Sequence, residues 1–301
     1  MRLGFVLILS GLACASVGGA RVAATPAATS MRAAPRVDAV GFWPLYERVL
    51  SHARYVDLTH TFGPDTPHWK GFGAMTVRPL YTIAKDGFHV DEYCHVGQWG
   101  THVDAPAHFH RGLKTVDQIA PGDMLLPLVV LDVHTAVARN PDYRITLQDV
   151  RAWEHRHGRI PAHAFVAMRT DWSQRWPSQA AMENLDAHGV AHYPGWSLPV
   201  LRFLFDQRHV AAIGHETTDT DGGIDASRND YALESYVLGT DHYQIEMLAH
   251  LDKVPEAGAL VMVTFPKPAH GTGFPARVIA IVPAAPRAVA VTSTAVRRTT
   301  E

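Results

Sequence analysis

Three observations predict a single domain of the α/β or α+β class. Short apolar runs recur at strand length along the chain. Runs with helical spacing fall between them in the second half, and no repeat or interior linker divides the 301 residues.

The elements follow in order. The opening MRLGFVLILSGLACASVGGARVAATPAATSMRAAPR places Arg2 before an apolar run, Leu3 to Leu12, followed by small residues with cleavage points after Ala15 or Ala20. That is the build of a secretory signal peptide, too short to span a bilayer; the alternative is a buried apolar helix. We assign residues 1–20 to the signal, 21–38 to a flexible spacer rich in Ala, Thr and Pro, 39–292 to one domain and 293–301 to a disordered tail. The expected location is secreted or periplasmic. With Cys14 in the signal, Cys94 is left alone, so no internal disulfide forms; it is expected as a buried small hydrophobe.

GFWPLYERVLSHA (41–53) has helical spacing and YVDLTHTF (55–62) alternates like a strand. Strands are expected at Met75–Tyr81, Phe88–Val96, Leu125–Val133, Phe165–Arg169, Val210–Gly214, Ala259–Phe265 and Arg277–Val282. LLPLVVLDV, AFVAM and ALVMVTF read as strands buried on both faces. Helices are expected over 146–158, with Thr146 as N-cap and Gly158 at the end, and over 197–209 from Ser197. The stretch 233–251 mixes helical spacing with a glycine and is expected as one broken helix.

The chain is 47% hydrophobic and 19% charged, with a formal net charge of −2 and no basic or acidic block. Nothing there points to nucleic acid or a membrane surface, which leaves a small molecule as the expected partner. Histidine is abundant at 19 residues, as suits a metal or catalytic protein.

The chemistry concentrates in GQWGTHVDAPAHFH, residues 97–110. His102 and Asp104 are two apart, so an extended backbone projects both to one side. Gly100 permits a sharp turn before them, and Pro106 disfavours a helix behind them. Spacing alone leaves a metal cradle and a structural turn both open.

The string GTHVDAPAHF resembles the signature of the cyclase family of metal-dependent hydrolases, which includes bacterial kynurenine formamidases and isatin hydrolases. The stretch 244–281, with its Glu246-x-Leu248 segment, Val-Pro turn and Gly-x-Pro-x-Arg strand, is similar to the family's C-terminal region. The resemblance runs from about Asp57 to Val282 and implies a swivelling β/β/α domain with a mixed sheet packed with helices. It implies His102, Asp104 and Glu246 as metal ligands, His108 as the catalytic acid/base, and a homodimer or homotetramer.

Two positions depart from the pattern: Gln98 stands where the family has its first histidine ligand, and Glu234 where two-metal members carry another. A glutamine carbonyl still binds a metal, though more weakly than imidazole. We therefore expect one divalent ion, Zn²⁺ or Mn²⁺, on Gln98, His102, Asp104 and Glu246, and a second metal is doubtful. Metal-activated water with His108 as acid/base would cleave a small amide, formamide or cyclic amide, aromatic or not, an arylformamidase-like reaction. The rivals are a lactone or cyclic imide hydrolase using the same residues, and a non-catalytic binding protein on this fold. No G-x-S-x-G elbow and no H-E-x-x-H motif occurs.

Other candidates border this set. His215 and Glu216 follow a strand and are expected near the cleft, where they touch substrate or support a ligand. Glu234 and His242 are supporting positions, His242 sharing a helix face with Glu246, and His95 is the alternative first ligand. Trp69, Phe72 and Trp99 line an aromatic pocket or belong to the core, while Trp172 and Trp176 are assigned to packing. His110 is a bystander.

Overall fold

The computed structural model describes residues 41–284. The signal, spacer and tail assigned from the sequence, and the outermost residues of the 39–292 domain, lie outside that range. The chain divides into two units between Phe42 and Trp43, and the second holds nearly all the described residues.

The described strands are β1 (Arg54–Asp57), β2 (Thr76–Tyr81), β3 (Val90–Cys94), β4 (His102–Asp104), β5 (Leu125–Asp132), β6 (Phe165–Arg169), β7 (Ala212–His215), β8 (Tyr243–Glu246), β9 (Ala259–Thr264), β10 (Gly273–Pro275) and β11 (Arg277–Val282). The α-helices are α1 (Phe42–Arg48), α2 (Ile83–Asp86), α3 (His134–Arg139), α4 (Leu147–His157), α5 (Gln179–Glu183), α6 (Leu198–Arg202), α7 (Gly223–Ala226) and α8 (Ala232–Gly239). Nine strands form one mixed sheet in the order β1-β11-β9-β5-β6-β7-β8-β4-β10, parallel from β5 to β8 and antiparallel elsewhere.

Side-chain alternation explains why the central strands read as unbroken apolar runs. Along β5, Leu126, Leu128 and Val130 join one core cluster while Val129 and Leu131 join another; along β6, Phe165 and Ala167 divide in the same way from Val166 and Met168. Val150 and Trp153 of α4 and Val200 and Leu201 of α6 cover one face. Strand β9 departs from the expectation. Ala259, Val261 and Val263 are buried but Leu260 and Thr264 are exposed, because only one face of this strand is covered.

The helix over 146–158 forms as the sequence predicts. Thr146 caps it, accepting from Asp149 N at 3.3 Å while the Asp149 carboxylate returns to Thr146 N at 2.8 Å. The 197–209 segment is instead the short α6 followed by a π-helical stretch, Phe203–Arg208.

The expected helix over 233–251 is overturned. Helix α8 stops at Gly239 and the chain re-enters the sheet as β8, then makes a 3-10 turn at Leu251–Lys253. Tyr243–Glu246 is buried throughout, and pairing with β4 and β7 satisfies its backbone. His242 and Glu246 therefore share no helix face. Cys94 is also corrected: it is exposed, at the end of β3. No described helix is long and apolar enough to cross a membrane.

Candidate active site

The site is assembled by strand register. In the β4–β8 pair, His102 stands opposite Glu246 and Asp104 opposite Gln244. Within each strand the two residues are two apart and so share a face. Gly100, at φ 61°, makes the turn that enters β4, and Thr101 Oγ1 ties that turn to Met247 O at 2.6 Å. After β4, Pro106 starts a 3-10 turn, Pro106–His108, that brings His108 round beside Asp104.

One donor atom each from His102, Asp104 and Glu246 lies within 4.8 Å of the others, and all three residues are buried. His102 Nδ1–H donates to Gly100 O at 2.8 Å, which leaves Nε2 3.5 Å from both Asp104 Oδ2 and Glu246 Oε2. The buried Gln244 amide donates to Glu246 Oε1 at 3.0 Å and to Asp104 Oδ2 at 3.3 Å. Thr220 Oγ1 donates in turn to Gln244 Oε1 at 2.6 Å, fixing which way the amide faces.

Burial alone would lower the pKa of His102, but the charge and hydrogen bond of Asp104 hold it above its ordinary value. Burial would raise Asp104, but His102 holds it low. Burial, with the Glu234 and Asp104 charges, pushes Glu246 well up. Carboxylates are thus packed together with one imidazole among them, and Asp104 Oδ1 is buried without a hydrogen-bond partner. Oxygen and imidazole donors with an orphaned lone pair turned inward fit a borderline divalent cation.

A cavity of about 440 Å³ opens on this group. Trp69, Phe72, Phe109, Tyr231 and Met247 form apolar walls, and Trp69 Nε1–H donates to the Tyr231 hydroxyl at 2.9 Å. His108 and Gln98 also line it, with the Gln98 amide nitrogen 3.4 Å from His108 Nδ1. Glu234, in the first turn of α8, places Oε1 4.0 Å from His108 Nε2. Asp221 accepts from the Leu233 and Glu234 backbone N–H groups at 2.9 and 3.0 Å and so sets the start of that helix. Burial, then the Asp104 and Asp219 charges, pushes Glu234 well up. Among the described residues, no lysine or arginine lines this cavity.

The "Cyclase" family model, described as "Putative cyclase", matches residues 56–222. The chain belongs to the cyclase family. The isatin hydrolase of Roseibium aggregatum is 31% identical over 244 residues, which is 76% of this chain and 92% of that protein. The solved structure of isatin hydrolase A from Ralstonia solanacearum is 35% identical with a TM-score of 0.71, covering 77% of this chain and 93% of that one. An isatin hydrolase bound to the product analogue thioisatinate is 28% identical with a TM-score of 0.73, covering 78% and 94%. The sheet and its helices match the swivelling β/β/α architecture that the resemblance implies.

Within this cyclase-family site, the remaining predicted residues sort clearly. His215, at the end of β7, is fully buried: Trp196 Nε1–H donates to its Nδ1 at 3.2 Å, and its Nε2 lies 3.3 Å from Glu246 Oε1. Burial drives its pKa down to about 3, so a neutral imidazole backs Glu246. Glu216 is corrected. Strand alternation turns it away from the cavity, and its carboxylate accepts from Thr170 N, Thr170 Oγ1, Trp172 N and Ser173 Oγ. His242 is corrected as well: it stacks on Phe205 at 4.0 Å and lines a different cavity.

Of the three residues left open between pocket and core, Trp69 and Phe72 line the pocket and Trp99 does not. Trp99 is fully buried and stacks on His68 at 4.6 Å. His95 contacts Val96 O at 2.7 Å and lines a separate cavity, away from the ligand position. His110 pins α8 through Ser235 O at 2.7 Å. Trp172 is core and Trp176 stacks on His60 at 4.2 Å, so both serve packing. Sequence reading missed Gln244, Thr220 and Asp219. The first was signalled only by its spacing two before Glu246, and the other two by a run of turn residues that could serve many purposes.

Proposed function

We propose that the protein is a metal-dependent hydrolase that opens a small aromatic cyclic amide. The observation that carries this is the buried His102–Asp104–Glu246 group at the floor of an aromatic cavity beside His108. Support comes from the isatin hydrolases to which the chain is similar along most of both lengths. His102, Asp104 and Glu246 would hold one Zn²⁺ or Mn²⁺, with the Gln98 carbonyl as the fourth donor that the sequence assigns. Such an ion supplies Lewis-acid chemistry, acidifying water and polarising a carbonyl.

The chain's own groups do the rest. The aromatic walls hold a flat ring over the donor group. Gln98 and Glu234 bracket His108, one near each ring nitrogen, and fix where it meets the substrate. His108 takes the proton of the attacking water and returns it to the departing nitrogen. The carbonyl carbon gains a C–O bond and the C–N bond breaks, which leaves one ring-opened product bearing a carboxylate and an amine, with the second water proton released to solvent. A second group, Asp104, His108 and Glu234, meets the same distance test for a cation. An imidazole that carries this proton is not free to hold a second ion, so we assign one.

The cavity charge narrows the substrate within the expected amides. A formamide carrying an amino-acid headgroup brings its own carboxylate, and among the described residues no lysine or arginine lines the cavity to receive it. A neutral ring amide avoids that cost. We therefore favour the cyclic amide over an arylformamidase reaction.

The test is metal analysis of protein purified without chelator, then turnover of isatin, N-formylkynurenine and simple lactones. Isatin turnover with about one metal per chain is expected. Turnover of lactones alone would replace this reading with the lactonase, and none by metal-loaded protein would leave a binding protein. We further propose an exported homodimer or homotetramer. The exposed apolar residues Val77, Leu80, Tyr81 and Tyr93 of the two-stranded β2–β3 sheet support assembly. Sedimentation of the mature protein tests it.

A further inference from the structure

We propose that Asp219 is a specificity residue that reads a ring N–H, so that the site prefers lactams bearing a free N–H to lactones and N-substituted lactams. This rests on the hydrolase reading above and names the feature that the substrate must carry.

Asp219 lies in the loop after β7, is 5% exposed and lines the cavity with Thr218 and Tyr231. Both hydrogen bonds to its carboxylate end on one oxygen. The Tyr193 hydroxyl donates to Oδ2, and Thr218 Oγ1 donates to the same atom at 2.9 Å. Tyr193 is itself core, 4% exposed and edge-on to Trp172, so this anchor does not swing. Burial, with the nearby Asp219 charge, keeps its phenol protonated and therefore a donor.

The carboxylate is thus pinned by one oxygen and presents the other. Oδ1 accepts from no described residue and is not among the buried orphaned atoms. Asp219 lines this cavity and a smaller one beside it, and Oδ1 is assigned to the larger, which the donor group floors. A carboxylate only accepts hydrogen bonds, and among the described residues no lysine or arginine lines the active-site cavity, Lys70 lining the smaller one beside it. What fits against Oδ1 is a donor. A flat aromatic lactam held by the walls has one, its ring N–H. A lactone places an oxygen lone pair there, and an N-alkyl lactam places a methyl group. The contact also strengthens during reaction. If nitrogen takes the proton from His108 ahead of C–N cleavage it becomes cationic and its N–H groups are then stronger donors than in the substrate, so part of the contact is made only in the transition state.

The experiment compares isatin, N-methylisatin and the isosteric ring-oxygen lactone with metal-loaded wild type and Asp219→Asn, each rate corrected for uncatalysed hydrolysis. Metal per chain is measured in both proteins. In Asp219→Asn, Tyr193 and Thr218 select the amide oxygen at the Oδ2 place and turn the NH₂ group towards the cavity. We expect wild-type kcat/KM to favour isatin by about tenfold to a hundredfold, and Asp219→Asn to erase that margin while holding N-methylisatin within about threefold. Metal content should not change.

Equal corrected rates on all three substrates in wild type, an equal loss on all three in Asp219→Asn, or loss of metal in that variant would each overturn the assignment. No turnover of any of the three by wild type overturns the hydrolase reading itself. Should Asp219→Asn fail to fold, Tyr193→Phe keeps the charge but frees the carboxylate. It should shrink the isatin margin at constant metal content, and an unchanged margin would overturn the proposal.

Discussion

Two buried carboxylate nests stand at the C-terminal end of β7 and are built on opposite terms. Glu216 is surrounded by donors: two backbone N–H groups and the hydroxyls of Thr170 and Ser173 all converge on it. Its role is to tie the end of β6 to the turn that follows. Asp104, Glu246 and Glu234 instead face one another, with His102 and His108 as the only imidazoles in their two groups, and Asp104 keeps an oxygen with no partner. A carboxylate that serves the fold is saturated by the protein. The set we propose for a cation, Asp104 and Glu246 with His102, is left short of partners, and the shortfall supports that reading.

The largest break in this contrast should come at Asp104. Asp104→Ala is expected to lose bound metal and to cut turnover by about 10³-fold or more, while circular dichroism still reports a folded chain. A variant that keeps both metal and rate would put Asp104 on the structural side. His108→Gln separates holding the ion from moving the proton. It should keep metal content while kcat falls by about 10²–10⁴-fold. Metal loss in that variant would make His108 a ligand.

Glu216 should respond in stability. Glu216→Gln turns an amide N–H on converging donors and should cost about 1–3 kcal/mol by denaturant unfolding, with metal content retained. Burial raises its pKa from 4.5 to about 7. Between those values the native state holds a proton that the unfolded chain has released, so stability should fall as pH rises through the window and level off above it. Glu216→Gln should remove that part of the slope; equal slopes in both proteins would show that Glu216 is ionised in the fold. The smallest effect is expected at the cavity wall. Trp69→Leu removes ring contact and the bond to Tyr231, and should raise KM for an aromatic substrate about threefold to tenfold at nearly constant kcat.

Local signals in the sequence translated well. Thr146 and Asp149 cap α4, the apolar runs became β5 and β6, and the His102-x-Asp104 spacing placed both groups on one face of β4. The failures have one cause. Strand β8 was mistaken for helix because Tyr243–Glu246 is too short to show a period, and its backbone is satisfied by strands that the local sequence does not name. With that strand went the placement of His242 and the notice of Gln244. Glu216 was misplaced because strand alternation, unlike proximity in sequence, sends neighbours such as His215 and Glu216 to opposite faces.

The sequence by itself determined the chemistry in hand: an imidazole and a carboxylate two residues apart, a histidine beyond a proline, and a distant glutamate. Such patterns depend on spacing within one segment, and spacing is local. Only the tertiary structure decided which groups meet. Gln244 reaches Asp104 across 140 residues of chain, and Asp219 lines the cavity with one oxygen held by the distant Tyr193. Strand register and the burial of a polar group against a chosen donor are properties of the whole packed sheet, and no stretch of the sequence carries them alone.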